Sequence, residues 1–331
     1  MSGERLILSD INYLDKSGQA YTAPHLMLWS VTMFFLYPLC AVLIWSINSI
    51  VSKLSASAID PAAISFYRWL LALLVLTPFV LPGVWRTRQA IRPHLWRLLI
   101  LGLLGMVLYQ SLAYYAAQSV SALFMGIIGA LIPLLTVLLS VVILRIAPTL
   151  GILLGSIISF IGLVWLVSQG DVMQLLSHGL GKGELLMLAA SAAYALYGVL
   201  TRRWALPLPI WHSLYVQILF GVLLLLPGFL LAPEVSLNRH NLPLVAFAGL
   251  FASIIAPFLW IHGVQRLGAS TTSIFMNLIP VFTALIAVMF LHEQLHSYHW
   301  IGGGLTLSGV ILAQRLRTPL TRAKPVNLRR L

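Results

Sequence analysis

Apolar runs of about 20 residues, the length a helix needs to cross the hydrocarbon core of a bilayer, follow one another along almost the whole chain. They fall near 33–53, 62–82, 96–116, 121–144, 148–168, 184–204, 210–231, 243–265, 270–292 and 298–315. Of the 331 residues 60% are hydrophobic and only 8% charged, where a soluble domain carries about 25% charged residues. So little charge cannot cover a water-soluble body of this size. The expected fold is an all-α polytopic membrane protein of ten transmembrane helices. Residues Met1 to His25 carry Glu4, Asp10 and Asp15 and no apolar run, so they do not read as a cleaved signal peptide. Cys40 is the single cysteine, which excludes an intramolecular disulfide.

The charges sit between the runs, and their signs separate. With the N-terminus inside, the inner segments hold Arg5, Lys16, Arg86, Arg88, Arg92, Arg97, Arg145, Arg202, Arg203, Arg266 and the basic residues of the tail. The outer segments hold only Lys53, Lys182 and Arg239. Basic loops stay in the cytoplasm, so both termini are expected there, in a bacterial inner membrane. Past the N-terminal tail every carboxylate (Asp60, Asp171, Glu184, Glu234, Glu293) falls at or near the outer face. A net charge of +12 placed in this way serves orientation and anionic lipid rather than nucleic acid.

The second half echoes the first. At a separation of 147 residues Pro133 meets Pro280, Thr136 meets Thr283, Gly102 meets Gly249, Gln118 meets Gln265, Gly155 meets Gly302 and Gly162 meets Gly309. Ile132–Thr136 (IPLLT) returns as Ile279–Thr283 (IPVFT), and at a separation of 149 Lys53 meets Arg202. Each half holds five runs, an odd number, so the halves are expected to be inverted relative to each other. That arrangement marks secondary transporters, with the substrate site near the midplane between the repeats. The organisation expected is a cytoplasmic segment (1–32), a first repeat (33–168), an outer loop (169–183), a second repeat (184–315) and a basic cytoplasmic tail (316–331). Pro133 and Pro280 each remove a backbone donor and are expected to kink their helices. The glycines of the fifth and tenth runs read as close helix packing.

These features, taken in order, resemble the EamA-type transporters of the drug/metabolite transporter superfamily. The resemblance rests on Trp45-Ser46-Ile47-Asn48 followed by Lys53, on Arg68 after Pro61, and on Leu131-Ile132-Pro133-Leu134. It rests further on Gly183-Glu184 opening the sixth run and Arg202-Arg203 closing it, and on Pro280 and Glu293 in the ninth, over residues 33–315. Ser46 stands where the pattern has glycine, and Arg145-Ile146 stands where members often carry an acid after the fourth run. The resemblance implies alternating-access movement of small metabolites, often amino-acid export.

Arg68 is the only formal charge well inside a run. An intramembrane ionisable residue is costly and points to function; a guanidinium there can take a substrate carboxylate in a bidentate grip. No run has a carboxylate in its middle, so a lipophilic cation finds no counter-ion and zwitterionic or anionic cargo fits better. His262 is the most central histidine and can titrate near neutrality. Asn48, Tyr109, Gln110, Tyr114, Tyr115, Tyr194, Tyr197, Gln217, Trp260 and Asn277 supply the fixed polar and aromatic groups of a pocket. The alternative for each is plain packing, and for Trp29, Trp85, Trp96, Trp204 and Trp211 a place in the interfacial aromatic belt.

His292-Glu293-Gln294-Leu295-His296 matches H-E-x-x-H, a zinc-protease signature that requires one continuous helix and a third ligand. Here it straddles the turn between the ninth and tenth runs, so an intramembrane metallopeptidase is a lesser alternative, as is a non-transporting membrane scaffold. The expectation is a transporter rather than an enzyme, with no metal or cofactor. Its partners are a small-molecule substrate, the lipid bilayer and, as an open option, a second copy of the chain as a homodimer.

Overall fold

The computed structural model describes residues 24–145, 149–173, 180–267 and 275–316, with Thr272 and two short strands; side chains are described from Phe34 onward, except those of residues 167, 277 and 314. The strands, Tyr13–Leu14 and Ala20–Tyr21, pair antiparallel. Everything else regular is helix: α1 (Pro24–Ser55), α2 (Pro61–Arg86), α3 (Arg88–Ala116), α4 (Ala122–Ile143), α5 (Leu150–Val167), α6 (Lys182–Trp204), α7 (Ile210–Leu230), α8 (Leu242–Leu267), α9 (Ile279–Leu291) and α10 (Ser297–Arg315).

Local chemistry sets several boundaries. Asp60 accepts from the Ala62 amide at 2.8 Å just before Pro61, which fills the first position of α2 where its missing donor costs nothing. Ser121 and Thr149 cap α4 and α5 in the same manner. α4 is interrupted: a first piece ends at Gly129 and a second begins at Ile132, with Pro133 in its opening turn. Pro280 occupies the equivalent place in α9, directly after a tight 3-10 turn at Phe275–Leu278. Both prolines thus open new helical segments, where a proline fits, rather than bending the middle of a continuous one.

Among the described residues seven helices are long and apolar enough to cross a membrane: α1 (from Phe34), α2, α3, α4, α6, α7 and α8. α5 and α9 are apolar but shorter, and α10 opens on Ser297, Tyr298 and His299. The expectation of ten spans is therefore met, on length and composition, by seven.

The helices associate in a patterned way. α5 packs on α10 more extensively than any other pair, α2 packs on α7, α1 lies against α8 and α9, and α6 lies against α3 and α4. In the α5–α10 contact Gly162 faces the Gly302 carbonyl and Gly302 faces the Gly162 carbonyl, while Gly155 and Gly309 face each other's carbonyls likewise. Between them Ser159 Oγ donates to the Thr306 carbonyl at 3.2 Å across 147 residues of chain. A second reciprocal pair joins α2, α3, α7 and α8: Gly249 approaches the Arg68 carbonyl and Gly102 approaches the Gln217 carbonyl. α3 and α8 also share a widened π-helical stretch, Leu103–Leu108 and Phe247–Ile255.

Without a hydrophobic drive between helices in lipid, such small residues let backbones close up and gain dispersion contacts. A Cβ on Gly162 would lie 2.5 Å from the Thr306 nitrogen and 2.7 Å from the Gly302 oxygen, whereas one on Gly304 would meet nothing within 4 Å. Gly162→Leu is expected to lower stability by about 1–3 kcal/mol through overpacking and Gly304→Ala to leave it nearly unchanged, read as melting temperatures of the purified protein in detergent.

Candidate functional site

Arg68 is 2% exposed and reaches three other helices. Its Nε donates to Ser253 Oγ of α8 at 2.7 Å. Its Nη1 donates to Tyr114 OH of α3 at 3.2 Å and, at the long limit of 3.5 Å, to Asn48 Oδ1 of α1. The guanidinium carbon also stands 5.2 Å from the ring centre of Trp69. Nη2 donates to no described residue, and no described carboxylate pairs with the group. Among the described residues the charge is met by dipoles and an aromatic face.

The π-helical stretch of α8 creates this environment. Its wider turn lets Ser253 donate to the carbonyl of Ala248, five residues back, at 2.8 Å, leaving the hydroxyl oxygen to accept from Arg68. The matching stretch of α3 presents the Met106 carbonyl to Trp69 Nε1 at 2.8 Å. Such widened turns concentrate at functional positions.

Aromatic side chains line two neighbouring contacts. Tyr109 of α3 meets Tyr194 of α6 with ring centres 4.5 Å apart, and Tyr194 stacks on Tyr197 at 5.5 Å. Tyr109 stands five residues before Tyr114 on α3, about 7.5 Å along the helix at 1.5 Å per residue. On the other side Trp45 of α1 meets Trp260 of α8 at 5.5 Å and donates to the Ala252 carbonyl, next to Ser253, at 3.3 Å. The structure thus brings Arg68, Asn48, Tyr109, Tyr114 and Tyr194 to one region, with Tyr197 and Trp260 at its flanks.

None of the remaining candidates makes a described hydrogen bond or ring contact with that group. Tyr115 is 39% exposed on the outside of α3. His262 sits about 14 Å further along α8 than Ser253, at 1.5 Å per residue, with its ring Nδ1–H on the Phe258 carbonyl at 2.8 Å. Gln110 is buried. Gln217 of α7 is buried; its Nε2 donates to Ser213 Oγ at 2.9 Å, and its Oε1 is sealed without a partner. The side chain of Asn277 lies outside the described residues. Sequence patterning gives no role to Ser253, the nearest hydrogen-bond partner of Arg68 at 2.7 Å, or to Trp69. A serine alone in the apolar FASII of α8 was the available signal.

A second constellation clamps the turn between α3 and α4. Lys53 Nζ donates to the Ala117 and Val120 carbonyls at 2.9 and 2.8 Å, closing the end of α3. Glu293 accepts from the Ala122 amide at Oε1 and the Leu123 amide at Oε2, 2.9 and 3.0 Å, closing the start of α4. Cation at a helix C-terminus and anion at an N-terminus are the favourable placements. A cavity of about 270 Å³ adjoins the clamp, lined in part by Ser119, Gln169, Glu184, Glu293, His296 and His299. The metallopeptidase alternative fails on this geometry. His292 takes a left-handed conformation (φ 53°) that ends α9, and His296 begins α10, so the two are not on one helix. Glu293 is spent on amides, and the described residues hold no group of three or more metal ligands.

The EamA-like transporter family model matches residues 32–168 and 181–314. The chain belongs to that family, and it is a multi-pass membrane protein of a transporter family. It is 27% identical to the uncharacterized transporter YyaM of Bacillus subtilis over 79% of this chain and 87% of that one. It is 26% identical to an uncharacterized transporter of Archaeoglobus fulgidus over 82% and 93%. Protein PecM of Dickeya dadantii is 25% identical over 66% and 74%. A solved crystal structure shares the fold, with a TM-score of 0.58 at 21% identity over 88% of this chain and 99% of the other.

Replacing Glu293 by glutamine leaves one acceptor oxygen and no charge against two amides. We expect a loss of about 1–3 kcal/mol, the usual size for a charge-assisted hydrogen bond, seen as a lower melting temperature. Amide exchange at Ala122 and Leu123 should quicken; unchanged exchange would show that the clamp does not hold the helix.

Proposed function

We propose that the chain is a secondary transporter that moves small zwitterionic or anionic metabolites, such as amino acids, outward by alternating access between two inverted repeats. The carrying observation is the buried guanidinium of Arg68, which among the described residues is met by hydroxyls, an amide and an indole and by no carboxylate. A buried charge without a counter-charge is costly, and a carboxylate-bearing substrate relieves that cost. Tyr109 and Tyr194, in ring contact at 4.5 Å, supply the apolar wall such a site needs.

The inverted-repeat reading gains support from the reciprocal contacts. Gly155 and Gly162 stand to Gly309 and Gly302 as a two-fold relation requires, and the Arg68–Gly249 contact is mirrored by Gln217–Gly102. In that frame α5, α9 and α10 cross the membrane with the other seven, giving ten spans. The termini lie in the cytoplasm of a bacterial inner membrane. The repeats occupy 33–168 and 184–315, joined by the outer loop 169–183, with the N-terminal segment 1–32 and the tail 316–331 inside. Interrupted helices at Pro133 and Pro280 allow each half to rearrange around a midplane site, in the manner of discontinuous transporter helices.

Uptake of radiolabelled amino acids and organic acids into proteoliposomes tests this directly. For a transported carboxylate, Arg68→Gln is expected to cut flux at least tenfold, since a lost charge-assisted bond of about 1.5–3 kcal/mol corresponds to roughly that factor. Tyr115→Phe, on the outer surface of α3, should transport normally. Equal flux in Arg68→Gln and the parent protein would remove the arginine from the path.

A further inference from the structure

The end of the bundle opposite the Lys53–Glu293 clamp concentrates positive charge that neither the proposed site nor the helix packing uses. α2 ends on Arg86, the connection and first turns of α3 carry Arg88, Arg92, His94 and Arg97, and α6 ends on Arg202 and Arg203. Packing draws them together. Trp96 and Trp204 meet edge to face at 5.3 Å, which seats Arg97 beside the end of α6. Ile91 packs with Leu98 and Val216 beneath Leu206 and Leu208, so the α2–α3 connection lies on the α6–α7 turn.

No carboxylate occurs from Pro61 to Gly170 or from Leu185 to Pro233, so neither stretch carries an acid to balance these groups. Of the six guanidiniums only Arg88 donates a hydrogen bond to a described residue, from Nη1 to the Trp85 carbonyl at 3.0 Å. The Nε of Arg97 is sealed without a partner. Arg88 and Arg97 are each held over a neighbouring indole, at 5.2 and 5.4 Å from Trp85 and Trp96, and those rings are 66% and 54% exposed. Leu95, Leu99 and Leu103 share one face of α3 at four-residue spacing, all three exposed, and run from this corner along the bundle.

We propose that this corner is a binding site for one anionic phospholipid, its phosphate held by Arg97 and Arg203 beside Trp96 and an acyl chain laid along Leu99 and Leu103, which follow Trp96 on the same side of α3 at three and seven residues. Guanidinium forks match phosphate oxygens, and exposed tryptophans settle at headgroup depth. The leucine row distinguishes a lipid from a soluble phosphate, which has no use for it. The leaflet follows from the orientation proposed above, but binding depends neither on that orientation nor on transport.

The test is native mass spectrometry of the full chain in neutral detergent, titrated with phosphatidylglycerol, phosphatidylcholine or inorganic phosphate. Retention of one phosphatidylglycerol and no phosphatidylcholine is expected. At about fivefold per charge near the membrane surface, Arg97→Gln/Arg203→Gln should weaken retention about 25-fold, and Arg97→Lys/Arg203→Lys should restore much of it. Arg266→Gln/Arg315→Gln removes two charges elsewhere and should retain the lipid as the parent does. Melting temperatures without lipid confirm that all variants are folded. Equal weakening in the control pair would reduce the effect to diffuse attraction, and displacement by millimolar phosphate would make the ligand a free anion; either result overturns the site.

Discussion

In hydrocarbon no backbone N–H or C=O can be left for water, and each unsatisfied group costs several kcal/mol. Much of what distinguishes this molecule from a bundle of plain helices follows from that constraint. At several places where a helix is widened or ended, a side chain from another element meets the exposed groups. Trp69 takes the Met106 carbonyl at the π-helical stretch of α3. Lys53 and Glu293 take two carbonyls and two amides at the α3–α4 turn. These bonds join α1, α2 and the turn after α9 to α3 and α4, so irregular backbone becomes the place where distant segments of the chain are tied together.

Arg68 obeys the same rule with higher stakes. Among the described residues its charge is placed among hydroxyls, an amide and an indole from α1, α2, α3 and α8 rather than against an acid. Dipolar solvation keeps the charge without neutralising it, which leaves attraction for an incoming anion. The widened turn of α8 connects fold and site: it frees Ser253 to serve Arg68, and the small Gly249 of the same stretch lets α8 reach the backbone of α2.

Much of the architecture was legible beforehand because lipid imposes simple rules. The apolar runs marked where helices fall, and the glycines of the fifth and tenth runs read as close packing without naming a partner; the structure sets Gly155 and Gly162 against Gly309 and Gly302. Pro133 and Pro280 were visible as breaks, but periodicity could not tell a kink from a fresh helix start, since both begin with the loss of one donor. Arg68 stood out because a lone charge in an apolar run is rare. Its partners did not. Ser253 is 185 residues away along the chain, and nothing local in a serine reports which helix it faces.

The sequence by itself determined that this chain belongs in a bilayer, roughly where its helices lie, and that the two halves share a pattern, because hydropathy, charge placement and repetition are one-dimensional properties. Only the tertiary structure decided which of the many polar and aromatic side chains converge. It grouped Asn48, Tyr109, Tyr114 and Tyr194 around Arg68, left His262 and Tyr115 elsewhere, and spent Glu293 on a helix end instead of a metal. Convergence depends on helix rotation and crossing, which close glycine contacts and widened turns set at the level of single residues, and a shift of one residue turns a helical side chain by about 100°.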